Sequence, residues 1–294
     1  MLFSKAYSDY NSVILHVHIP KSGGTSVREN LVKYFNDNQV LRMPEPGINH
    51  FFGNTINSVF ESKEENEIKK WLKNNLPLIR AVMKIKNFSK NFFKKNDNFI
   101  FRDYYSLTTK EKQSLRFISS NQERITVPNI PGKHFLKIMT IRDPVSRIQS
   151  YYYEAKKNIK ATKPYQIVAS KYGINDFIKY LYDEEPYMVS NPYCICLSGT
   201  QDFLISKKII DTEFFLAAPI ERLNDFLHLL SIKIFNEKKK LQKYQVSDTN
   251  TKKIIISDEF VDRIISTNKE DIDLKKHIES EFKNILDNNI DLFN

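Results

Sequence analysis

Cysteine, glycine and long apolar runs are all scarce in this chain of 294 residues. Only two cysteines occur, Cys194 and Cys196, which excludes a disulfide-stapled scaffold and a four-cysteine zinc site. A bridge between residues two apart would be strained, so both are read as buried free thiols. No apolar stretch approaches the ~18 residues of a membrane helix; the longest resemble Phe214–Pro219. The opening MLFSKAYSDYNS has no long apolar core, and a signal peptide would have to consume the first strand. A soluble, cytoplasmic protein with no membrane span is expected. No internal repeat and no Pro/Gly/Ser-rich linker divides the chain, so a single domain over 1–294 is expected.

What is present is an ordinary globular balance, 41% hydrophobic and 27% charged, which excludes a disordered or fibrous chain. Lys plus Arg number 45 and Asp plus Glu 35, a net charge of +10. Such a chain often meets an anion: nucleic acid, a membrane surface, a nucleotide or a charged glycan. A lysine-rich solvated surface gives the same balance with no partner. The lysines of 63–95 and 238–253 pose that choice locally: they line a cleft for an anionic acceptor, or they are solvated helix faces.

The apolar pattern alternates strand with helix. Ser12–Ile19 (SVILHVHI) has the length and β-branching of a buried strand, and Val27, Leu31, Tyr34 and Phe35 then recur at helical spacing. Phe135–Ile141 and Phe214–Ala218 read as further strands, each followed by a helix. Other helices are expected over Leu107–Phe117 (capped by Thr108 or Thr109), Ile174–Tyr182, 258–267 and 270–287, with two more near 61–74 and 77–93. Residues 43–54 and 238–253 read as loops. The fold class is α/β, a central and mainly parallel sheet flanked by helices. The irregular 36–130 region is the expected acceptor side.

Two strand-to-helix junctions carry chemistry. In open parallel sheets ligands bind at such ends. In the first, Pro20–Ser26 (PKSGGTS), two of the seven glycines are adjacent. A helix N-terminus offers unpaired N–H groups and about half a positive charge, and paired glycines let backbone approach an anion closely. Lys21 adds a cation; Ser22, Thr25 and Ser26 add hydroxyls around Gly23 and Gly24. The lysine precedes the glycines, so this is not the nucleoside-triphosphatase order GxxxxGK[ST]. A plain capped turn is the bland alternative. In the second junction Arg142-Asp143-Pro144 opens a helix, with Asp143 placed as N-cap and Pro144 at the first helical position. Val145, Ile148 and Tyr152 make its apolar face; Asp143, Arg147, Ser150 and Glu154 fall on another.

HIPKSGGTS resembles the 5′-phosphosulfate loop of sulfotransferases that use 3′-phosphoadenosine 5′-phosphosulfate (PAPS). IRDPVSRIQSYYYE is similar to the family's 3′-phosphate site, with Arg142 at the strand end and Ser150 eight residues on. Asn191–Gly199, Ala218–Leu230 and Asn268–Leu274 are similar to later segments of bacterial sulfotransferases related to the heparan sulfate 2-O-sulfotransferase, and SYYYE resembles that enzyme's helix. The resemblance implies a P-loop-type nucleotide-binding fold and PAPS as co-substrate, held by Lys21, Ser22, Gly23, Gly24, Thr25, Ser26, Arg142 and Ser150. It implies an acceptor hydroxyl, on a glycan or glycolipid, and no metal. Lys21 would stabilise charge on the leaving phosphate.

Related glycan enzymes carry a Gly-His pair whose histidine is the base; here Ser120-Asn121 stands in that place, and asparagine is no base at neutral pH. Glu123 and His50 are the substitute candidates, each with a bland reading as surface carboxylate or loop histidine. His16 and His18 share one face of the first strand and read as packed, hydrogen-bonded side chains. Two other functions fit less: a noncatalytic adenosine-bisphosphate-binding protein on the same fold, and a basic nucleic-acid module, which no recognised motif supports.

Overall fold

A computed structural model describes residues 11–43, 107–120, 130–157, 163–237 and 255–292. Five strands form one all-parallel sheet: β1 (Ser12–Val17), β2 (Val40–Met43), β3 (Phe117–Ser120), β4 (His134–Ile141) and β5 (Phe214–Pro219), in spatial order β2-β3-β1-β4-β5. Chain order reverses direction at β1. The path moves outward to β2 and β3 on one side, then crosses to β4 and β5 on the other. The C-terminal ends of β1 and β4 therefore lie side by side at the switch point, where open parallel sheets bind ligands.

Both faces of the sheet are covered, which is why its strands read as nearly unbroken apolar runs. Alternate residues of β1 divide between two cores. Val13, Leu15 and Val17 pack with Met139, Ile141 and Ala217 beneath α6 (Pro192–Ser198), α7 (Phe203–Glu213) and the first half of α10 (Lys269–Asp287). Ile14 packs with Phe117, Ile138 and Leu216 beneath α1 (Gly24–Leu31), α8 (Leu223–Phe235) and the second half of α10. A third core joins α3 (Pro144–Lys157), α4 (Pro164–Lys171), α5 (Ile174–Glu184) and α9 (Asp258–Thr267) through Ile148, Tyr151, Tyr152, Phe177 and Ile264. Cys194 and Cys196 are free and buried within the first core.

The main strands and helices fall where the periodicity puts them, with instructive exceptions. The expected helix over Leu107–Phe117 is only α2 (Thr109–Ser114), held by a Thr108–Glu111 capping box. Leu115 is already extended and Phe117 enters β3, because this buried FISS run completes the sheet between β1 and β2. β2, α4, α6 and α7 are additions to the sequence reading. β2, α4 and α6 are short, and α7 leaves Leu204 and Ile205 exposed, which blurs its apolar stripe. The expected helices 61–74 and 77–93, the loop after Met43, and residues 238–253 lie outside the described residues. No helix among the described residues is long and apolar enough to cross a membrane.

Candidate active site

The first junction is a strained loop held from outside. Lys21 has φ 72 and Gly23 φ 90, both in the left-handed region. For lysine this backbone is uncommon and persists only where its surroundings impose it. They do: Thr140 Oγ1 on β4 donates to the Ser22 carbonyl at 2.5 Å, and Arg142 Nη1 donates to the Lys21 carbonyl at 3.3 Å. The Ser22 N–H and hydroxyl both turn back to the Ile19 carbonyl, at 3.2 and 2.7 Å. Ser22 is thus buried and committed to the shape of the loop.

The glycines are explained by the protein's own packing. A Cβ on Gly24 would lie 1.9 Å from the His18 ring, and one on Gly23 would lie 2.1 Å from Ile220 Cδ1. At Gly24 the imidazole leaves no room for a Cβ, and at Gly23 the left-handed φ favours glycine. The first intrahelical bond of α1 runs from Val27 N to Gly23 O at 3.2 Å. The N–H groups of Gly24, Thr25 and Ser26 precede it and take no helical carbonyl. A helix start of this kind suits an anion.

The second junction organises itself. Asp143 Oδ1 accepts from Ser146 N at 2.9 Å, the N-cap geometry expected, and Pro144 begins α3. Ser150 and Glu154 follow at half-buried and exposed positions on that helix. Arg147 does not share their face. It is fully buried, donates through Nη2 to the Met188 carbonyl at 2.5 Å, and desolvation lowers its pKa.

The two junctions form one site. The Arg142 guanidinium reaches the backbone of Lys21, and the Lys21 ammonium forms an ion pair with Glu154 Oε2 at 2.6 Å. Lys21, Arg142 and Glu154 thereby gather at the ends of β1 and β4, beside the Gly23–Ser26 turn, and Ser150 lies one helical turn before Glu154 on α3. Glu123, His50 and Asn121 lie outside the described residues. The histidines of β1 are placed as packed groups. His16 is buried with Nδ1 3.1 Å from Ser119 Oγ, and its ring stacks on His18 at 5.6 Å. Burial first, then the neighbouring His18 and Arg28 charges, holds its pKa well below the usual histidine value.

A buried network behind the site went unread in the sequence. The Tyr193 hydroxyl accepts from Arg142 N at 3.0 Å and lies close enough to the Ser22 side chain for that hydroxyl to lower its pKa, so one phenol stands beside both junctions. Burial raises its pKa further, which keeps it protonated. Tyr193 is fixed in turn by Asp271, whose carboxylate accepts from Tyr193 N and Cys194 N at 3.0 and 2.9 Å. Burial pushes the Asp271 carboxyl up to about 6, against the pull of those N–H groups and of Arg147. Asn191 N donates to Asn268 Oδ1 at 3.0 Å, and Asp271 N donates to Asn191 Oδ1 at 3.1 Å. The signal was there in part. NPYC and NKED were singled out as family-like segments, and the fold interlocks those two stretches.

The sequence agrees with the geometry. Residues 6–274 match the sulfotransferase family. No curated protein matches the chain. With the family match covering most of the chain, and the two strand-to-helix junctions joined at the sheet's switch point, the protein belongs to the sulfotransferase family.

Proposed function

We propose that this chain transfers a sulfuryl group from PAPS to an acceptor hydroxyl, of the carbohydrate class. The observation that carries the reading is the bond from Arg142 Nη1 to the Lys21 carbonyl. It links a cation suited to the donor's 3′-phosphate to the loop suited to its 5′-phosphosulfate. Gly23–Ser26 would receive the 5′-phosphate on backbone N–H groups, with the Thr25 hydroxyl beside them. Arg142 and Ser150 would hold the 3′-phosphate. Lys21 would hydrogen-bond the oxygen between phosphorus and sulfur as charge collects there. Charge-assisted bonds of about 1.5–3 kcal/mol each make Lys21 and Arg142 the strongest contributors to donor affinity. Catalysis is then mostly alignment of acceptor oxygen, sulfur and leaving oxygen. The carbohydrate class rests on the likeness of SYYYE and the later segments to glycan sulfotransferases, and a basic surface suits an acceptor already carrying charge.

The test is calorimetric titration of the wild-type protein with adenosine 3′,5′-bisphosphate and, separately, with ATP. Micromolar binding of the bisphosphate without comparable binding of ATP is expected. No binding of the bisphosphate would remove the donor assignment. The asparagine at 121 favours one rival, a protein that binds the bisphosphate without transferring sulfuryl groups. Label from PAPS appearing in a saccharide acceptor would dismiss it.

A further inference from the structure

The Lys21–Glu154 ion pair has a consequence for the reaction. Lys21 sits where the sulfur–oxygen bond would break. Its side chain is only 20% exposed, while that of Glu154, 2.6 Å away, is 62% exposed. The pair therefore has an inner cation and an outer anion, the carboxylate being the partner open to solvent. Glu154 lies one helical turn beyond Ser150 on α3, so a rigid element fixes its carboxylate relative to the donor's 3′-phosphate. Among the described residues, other titratable groups near the loop are engaged elsewhere. The Asp143 carboxylate caps α3, Glu29 pairs with Arg28, and the His18 ring packs against Gly24.

We propose that Glu154 is the base that takes the acceptor's proton, and that the donor frees it for this role by drawing Lys21 onto the phosphosulfate. This rests on the sulfuryl-transfer reading above. Binding a polyanion at the loop gives Lys21 a stronger partner than one exposed carboxylate, whose pairing in water is weak. Glu154 then stands beside the sulfuryl group on the solvent side. The acceptor oxygen attacks sulfur with its electron pair, forming the new O–S bond, and its proton passes to the Glu154 carboxylate. The old S–O bond breaks, and its pair stays on the 5′-phosphate oxygen, which Lys21 hydrogen-bonds. Adenosine 3′,5′-bisphosphate departs, and solvent recovers the proton from Glu154. A positioned general base contributes about 10²–10⁴-fold to rate.

The experiment compares wild type with Glu154→Gln, each with and without Lys21→Ala. Binding is read by titration with adenosine 3′,5′-bisphosphate. Turnover is read as single-turnover release of labelled sulfate from PAPS, with water as the smallest hydroxyl acceptor. The expected result is bisphosphate affinity equal to wild type or a few-fold tighter in Glu154→Gln, a gain that vanishes when Lys21 is also removed. Sulfate release in the same variant should fall by about 10²-fold or more. Unchanged release in Glu154→Gln would overturn the proposal. So would a joint loss of binding and release, which would mean that Glu154 only shapes the loop, and so would a wild type that binds PAPS yet leaves it intact. A wild type that fails to bind the bisphosphate would instead sink the donor assignment itself, so the two failures are separable.

Discussion

The turn after β4 caps itself, whereas the loop after β1 is shaped by residues far away in sequence. Asp143 and Pro144 need nothing beyond their own helix to start α3. The Pro20–Ser26 loop takes two left-handed residues, a threonine from β4, an arginine from the β4 exit and a tyrosine from α6. The difference teaches where each half-site is vulnerable. The second depends on local capping. The first depends on the buried network through Tyr193 and Asp271, and so on helices more than a hundred residues downstream. The Tyr193 phenol, bonded to Arg142 N and beside Ser22, lies between the two halves.

The largest loss is expected at Asp271. Replacement by alanine leaves the buried Arg147 without its neighbouring carboxylate and two buried N–H groups of α6 without an acceptor. A loss of about 3–5 kcal/mol of stability is expected, read by urea denaturation. Stability unchanged within 1 kcal/mol would mean that the network does not hold α6. Tyr193→Phe is gentler. It leaves the Arg142 N–H buried without its acceptor, a penalty of about 1–3 kcal/mol. Part of that loss should appear as weaker bisphosphate binding, since the Arg142 junction loses a tether. Full affinity in a destabilised variant would separate the network from the site.

His16 sharpens the comparison from the β1 side. Because burial keeps it neutral in the fold, the unfolded chain binds a proton that the folded chain does not as pH falls below the ordinary histidine range. Its contribution to stability is therefore present above that range and is lost on acidification. Thermal melts across pH 5 to 8 should show a shallower acid decline in His16→Gln than in wild type. Parallel declines would place the acid sensitivity elsewhere. The smallest effect belongs to the self-capped turn. Asp143→Ala should cost about 1 kcal/mol by denaturation, with bisphosphate binding weakened in proportion to fraying of α3.

How much of this was legible follows the same division. Local signals were sufficient for the second half-site. An N-cap acid, a helix-starting proline and an apolar stripe through Ile148 and Tyr152 can be read along one stretch of chain. The strand and paired glycines of the first half-site were legible too, but the reason for the glycines was not. The closest neighbours of a Cβ at Gly23 and Gly24 are Ile220 and His18, and only the folded sheet brings Ile220 near. Arg147 misled because its charge and spacing fit a surface face, whereas its partners come from the segment around Met188 and from α10. β2 and β3 are hard to read because strands of four residues carry too little periodicity to declare themselves. Glu154 was visible as part of a helix face, yet nothing in the sequence linked it to Lys21, 133 positions earlier by the residue numbers.

The most direct test of the joined half-sites is the preference for a 3′-phosphate. Wild type and Arg142→Ala are titrated in parallel with adenosine 3′,5′-bisphosphate and with adenosine 5′-monophosphate. Wild type should favour the bisphosphate by roughly 10- to 100-fold, the worth of one or two charge-assisted bonds, and Arg142→Ala should lose most of that preference while still binding the monophosphate. Equal preference in both proteins would contradict the account, because Arg142 would then not be the residue that joins the 3′-phosphate to the loop.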